Sequence, residues 1–123
     1  MNVVDSSGWL SYFASEKNSR FFAEPIGRLE ELLVPSITLT EVSRIIMRES
    51  DEDTADRAVA HMLQGKVVPL DESLGLDAAY FGVEHKLPLA DSIIYATAHR
   101  YEAIVWTQDA DFKNLTNVRY YPK

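Results

Sequence analysis

The chain has no cysteine, which excludes a disulfide framework and any thiolate metal site. Histidine is scarce: His61, His85 and His99 are the only three, widely spaced and without a shared ligand pattern, so each reads as a surface or helix-end residue. The five glycines form no phosphate-cradling loop, and Ser6-Ser7-Gly8 carries no nucleophile-elbow signature. No apolar run approaches the roughly 20 residues that span a bilayer. Met1 to Asp5 lacks the basic segment and apolar core of a signal peptide. Basic residues are outnumbered, 12 against 19 acidic, for a net charge of −7, which argues against a basic face that coats nucleic acid. The expectation is a cytoplasmic protein with no membrane partner, a single domain over residues 1–123, with an ordinary globular composition of 46% hydrophobic and 25% charged residues.

The acidic excess reads either as a solvated surface or as carboxylates gathered in one pocket that a divalent cation neutralises. Position has to separate the two. Asn2 to Val4 is a short apolar run ending on Asp5, followed by turn and cap residues and an aromatic helix carrying Trp9, Leu10, Tyr12 and Phe13. That aromatic group reads as core or subunit interface rather than a base-stacking platform. Ser15 to Arg20 is polar and expected to be exposed. Helical spacing of Ile26, Leu29, Leu32 and Leu33 predicts a second helix over Phe21 to Leu33, and Val34 to Leu39 a second strand. Thr40 is then the expected N-cap of a helix opened by Glu41. Asp56 to Leu63 reads as a helix, Lys66 to Leu70 as a strand, and Asp71 as the cap of a helix closed by His85 and Lys86. A helix bearing Asp91 in its first turn, a strand at Ile104 to Thr107, a turn near Phe112 and a strand at Val118 to Tyr121 complete the chain.

Strands alternating with helices predict an α/β fold of three layers, α/β/α, around a mainly parallel sheet of four to five strands. Ligands of such sheets bind beyond the carboxyl ends of the strands. Asp5, Glu41 and Asp109 follow strands, and Asp91 opens a helix packed on the sheet, so the four are expected to converge. Each has a plainer reading: Asp5 as a turn residue, Glu41 and Asp91 as helix-start acids favoured by the dipole, Asp109 and Asp111 as caps of the turn before Phe112. The apolar neighbours of Asp91 favour a site, because a buried acid without a partner is costly. Clustered carboxylates without His or Cys suit a hard ion, Mg²⁺ or Mn²⁺. One ion would polarise a phosphoryl oxygen and acidify a bound water, and a second would steady the leaving oxygen. That is an arrangement for hydrolysing a phosphodiester.

Val3-Val4-Asp5-Ser6-Ser7, Ser36 to Val42, Ala90 to Ala98 and Thr107-Gln108-Asp109-Ala110-Asp111-Phe112 resemble, in order, the motifs of the PIN-domain family, and most closely its VapC-type ribonuclease toxins. The resemblance implies a PIN-like fold and a metal-dependent endoribonuclease with Asp5, Glu41, Asp91 and Asp109 as catalytic, metal-holding acids. It implies that Ser7 or Thr107 orients a carboxylate by hydrogen bonding, with Asp111 as a further acid of less defined role. It also implies an RNA substrate, a cognate antitoxin and a homodimer. Arg44 and Arg48, one and two turns beyond Glu41, would hold the RNA backbone or merely pair with nearby acids, and Lys113 is a lesser candidate. Trp106 stands where a smaller apolar residue is expected. The competing classes are a PIN-domain nuclease that is not a toxin, an aspartyl-phosphate enzyme, and a cation-binding interaction module without activity. The aspartyl-phosphate reading wants a second Asp two residues beyond Asp5, where Ser7 stands.

Overall fold

Asn2–Val4 (β1) is buried along its whole length because it lies mid-sheet, paired in parallel with Leu32–Pro35 (β2) on one side and Ile104–Thr107 (β4) on the other. Lys66–Val68 (β3) pairs with β2 and Val118–Tyr120 (β5) with β4, so the five strands run β3-β2-β1-β4-β5, all parallel. A sheet covered on both faces needs apolar side chains on both sides of its strands. Val3, Leu33 and Val105 accordingly join a core with Leu74, Ala78, Ile93, Ile94 and Phe112. Val4, Leu32, Val34 and Trp106 join another with Trp9, Phe22, Val42 and Met62. Helices Ser6–Phe13 (α1), Ser19–Ile26 (α2), Ser36–Glu49 (α3) and Glu52–Met62 (α4) supply the second core, and Glu72–His85 (α5) and Leu89–Arg100 (α6) the first. This is the three-layer α/β/α architecture expected, described in a computed structural model over all 123 residues. No helix is long and apolar enough to cross a membrane.

Several boundaries fall elsewhere than the spacing predicts. The helix expected over Phe21 to Leu33 ends at Ile26; a short 3-10 turn, Leu29–Glu31, follows, and Leu32 and Leu33 are strand residues. Both are buried, but in opposite cores, which is strand alternation and not a helical stripe. The strand expected through Leu39 stops at Pro35, and α3 begins at Ser36. There the Thr38 hydroxyl donates to the Pro35 carbonyl at 2.7 Å, so a β-branched run that favours a strand becomes a helix start. Thr40 therefore caps nothing, and Glu41 sits in the second turn. Helix α4 opens before Asp56 because the Asp51 carboxylate accepts from the Thr54 N–H at 2.7 Å. Asn18, within the segment expected to be exposed, is buried.

Candidate metal centre

Strand order reverses direction at β1, the place where an open parallel sheet offers a crevice at its carboxyl edge. Asp5 leaves β1 there and caps α1. Its Oδ1 accepts from the Gly8 N–H and the Ser7 hydroxyl, both at 2.9 Å, and its Oδ2 accepts from the Thr107 hydroxyl at 2.7 Å. Ser7 also lies 2.9 Å from Oδ2, so Ser7 and Thr107 both orient this one carboxylate. Thr107 ends β4, and its Oγ1 in turn accepts from the Asp109 N–H at 2.9 Å. Asp109 accepts from the Asp111 N–H at 2.9 Å, capping a 3-10 turn, Ala110–Phe112, that is pinned by the fully buried Phe112. The cap reading of Asp109 is thus correct as local structure and does not exhaust the residue.

Asp91 projects from the first turn of α6, held by a helix whose residues Ser92 to Ala98 are all buried. One carboxylate oxygen each from Asp91, Asp109 and Asp111 lie within 4.8 Å of one another. Glu41 reaches in from α3, its Oε1 accepting from the Ser6 hydroxyl at 2.6 Å. Burial pushes the Asp91 carboxyl up to about 7, and the charges of Asp109, Asp5, Glu41 and Asp111 push the same way. The charges of the other four acids thus all reach Asp91, while the close approach of carboxylate oxygens is that of Asp91, Asp109 and Asp111. Asp5 is pushed up to about 6 by burial, against the hydrogen bonds from Thr107, Gly8 and Ser7 that favour its charged form, with Asp109 adding repulsion.

No cation of the chain relieves this crowding. The ion pairs are Arg28–Glu24, Arg48–Glu49 and Arg100–Asp71, none of which involves any of the five acids. An uncompensated, oxygen-only donor set fits a hard divalent ion and little else. Arg44 is exposed and unpaired. Arg48 lines a cleft of about 530 Å³ together with Ser7, Leu10, Phe13, Ile45 and Ile46, and makes only a 3.5 Å contact with Glu49. Lys113 is exposed just past the 3-10 turn. The histidines stay out of the centre: His61 packs on Trp9, Tyr12 and Phe13, and His85 and His99 on Phe81. Trp106 fits its strand by donating its indole N–H to Asn2 Oδ1 at 2.8 Å. The Ser6–Glu41 bond and the Asn18–Gln108 bond behind Asp109 were not legible, since partners 35 and 90 residues apart leave no local pattern.

A family model described as PIN domain matches residues 3–118. Among solved structures, a chain of a toxin–antitoxin complex from Klebsiella pneumoniae is 19% identical, with a TM-score of 0.82 and 100% of both chains covered. VapC20 from Mycobacterium tuberculosis, described as a sarcin–ricin loop cleaving toxin, is 18% identical with a TM-score of 0.82, over 99% of this chain and 100% of that one. VapBC-1 from nontypeable Haemophilus influenzae is 17% identical with a TM-score of 0.72, over 98% and 96%. No curated protein matches the sequence.

Proposed function

The chain belongs to the PIN-domain family, and on that premise we propose that it is an Mg²⁺- or Mn²⁺-dependent endoribonuclease, the toxin of a toxin–antitoxin pair. The observation that carries the proposal is the convergence of one carboxylate oxygen each from Asp91, Asp109 and Asp111 within 4.8 Å, with the charges of Asp5 and Glu41 also acting on Asp91. Asp91, Asp109 and Asp111 would hold the ion, with Asp5 and Glu41 completing its charge balance. A bound ion would acidify an attacking water and neutralise charge developing on the phosphodiester. Ser7, Gly8 and Thr107 keep Asp5 in one rotamer, so the carboxylate need not reorganise during reaction. Arg44, Arg48 and Lys113 would hold the RNA backbone beside the acids. The antitoxin reading is supported by the complexes among the structural relatives, and a homodimer by an exposed apolar stripe on α5.

The test is cleavage of a panel of structured RNAs by the purified protein with Mg²⁺, with Mn²⁺ and with EDTA, beside Asp91→Asn. Metal-dependent cutting that the variant loses is the expected result. An inert protein whose Asp91→Asn variant binds Mn²⁺ as well as wild type would sink the reading and leave a binding module.

A further inference from the structure

We propose that Lys123, braced beside the acidic centre, grips an RNA phosphate next to the one at the metal, a reading that rests on the nuclease assignment above. Residues 121–123 follow β5, and such a segment stays loose unless something ties it down. Here several contacts do. The Tyr121 N–H donates to the Thr107 carbonyl at 3.0 Å, so the segment leaves the sheet alongside the end of β4. The Tyr121 ring packs on Phe21, with centroids 5.2 Å apart. Asn18, only 4% exposed, supplies the brace. Its Nδ2 donates to the Pro122 carbonyl and to Gln108 Oε1, both at 3.0 Å, and lies 3.5 Å from the Tyr121 carbonyl. Gln108 Nε2 in turn donates to the Ser7 carbonyl at 3.3 Å. One buried amide thus fixes the segment to the residue between Thr107 and Asp109 and, through it, to the residue that orients Asp5.

Lys123 sits where these ties leave it. It lines a cleft of about 490 Å³ with Ser7, Gln108 and Asp109, and is the only cation there. It also lines the 530 Å³ cleft that holds Arg48, and Ser7 and Gln108 line both. The two clefts adjoin at these three residues and form one path from Asp109 toward Arg48. Lys123 is exposed and belongs to none of the ion pairs, which separates it from an internal counter-ion of the acids.

Charge decides what it takes. One divalent ion does not balance five carboxylates, so the metal-loaded centre still repels a polyanion that approaches along this path. Lysine is a compact cation on a flexible four-carbon stem, and here that stem starts from a fixed backbone. It can follow a phosphate beside Asp109 without demanding one geometry. Such contacts set the register of the strand and carry no sequence information.

The experiment measures the anisotropy of a fluorescein-labelled oligouridine on the full chain, at fixed Mg²⁺ and over a series of KCl concentrations, with the RNA's integrity checked on a gel. Each phosphate neutralised on a single strand contributes about 0.7 to the slope of log affinity against log salt. Lys123→Gln, at an exposed position, should lower the slope by about that amount and leave the calorimetric Mn²⁺ affinity unchanged. Lys123→Arg should keep the slope, as should Lys66→Gln in β3 at the opposite edge of the sheet. Asn18→Ala frees the segment and should lose the same increment, with no further loss when combined with Lys123→Gln. A slope unmoved by Lys123→Gln, or moved equally by Lys66→Gln, overturns the proposal. Wild type then still binds Mn²⁺ and RNA, so only the Lys123 assignment falls. A wild type that holds no RNA at any salt brings down the nuclease reading and this one with it.

Discussion

Thr107 uses its hydroxyl twice, donating to Asp5 Oδ2 and accepting from the Asp109 N–H, so it links the acid after β1 to the acid after β4. Thr107→Val keeps the shape and the strand propensity but leaves both groups short of a partner. We expect a stability loss of about 1–3 kcal/mol and a fall in Mn²⁺ affinity of about 10–100-fold, checked by urea denaturation and calorimetric titration. Unchanged affinity with lowered stability would reduce Thr107 to a fold residue. The same acids dictate a pH dependence. Asp5 is raised from 3.8 to about 6 and Asp91 to about 7, so between about pH 4 and 7 the metal-free native state keeps protons that the unfolded chain has released. Stability follows the protons bound unfolded minus those bound native; that difference is negative here, so stability in EDTA falls as pH rises through this window and levels off above it. Asp5 alone supplies on the order of 3 kcal/mol, and Asp91 less than its shift suggests, because it is partly open to water. Urea denaturation in EDTA at pH 5 and pH 8 measures this, and greater stability at pH 8 would contradict it. Added Mn²⁺ should shrink the loss, since a metal binds the deprotonated carboxylates.

Helix α1 shows how tightly an element can be bound to the site it carries. A Cβ on Gly8 would lie 2.6 Å from the Phe22 ring and 2.8 Å from Val4 Cγ1, and Phe22 is fully buried. Helix propensity alone makes Gly8→Ala stabilising by roughly 0.5–1 kcal/mol. Overpacking reverses the sign, and we expect a loss of about 1–3 kcal/mol in thermal or urea unfolding, with the Asp5 cap loosened because Gly8 supplies one of its donors. A more stable variant would mean that α1 can slide on the sheet. Elements of this kind were partly legible in advance. Apolar runs ending on Asp5 and Asp109, and Asp91 in the first turn of its helix, stand where sequence spacing put them. Glu41 was assigned to the right helix on the wrong ground, because Ile37, Thr38 and Thr40 look like strand until the Thr38 hydroxyl and the burial of Val42 are known. Leu32 and Leu33 satisfied a helical spacing by coincidence, and only the two-sided burial of a central strand tells them apart.

At the scale of the whole molecule, β1 and β4 lie side by side although about 100 residues separate them in the chain, which is why a set of distant acids can share one pocket and why no single motif discloses it. The fold leaves one feature unused by that pocket. Leu76, Tyr80 and Val83 on α5 are 68%, 64% and 84% exposed, at the i, i+4, i+7 spacing of one helix face, while Leu74 and Ala78 point into the core. Exposed apolar stripes of this kind mark contact surfaces, and a second copy of the chain is the occupant expected for the proposed homodimer. Leu76→Lys with Val83→Lys should leave the far-ultraviolet spectrum unchanged, because neither side chain is buried, and convert a dimer to a monomer in light scattering. The double variant should still bind Mn²⁺ as wild type does, since the stripe contributes nothing to the acids. A wild-type mass of one chain, 13.9 kDa, across the working concentration range would remove the dimer and leave the metal centre untouched.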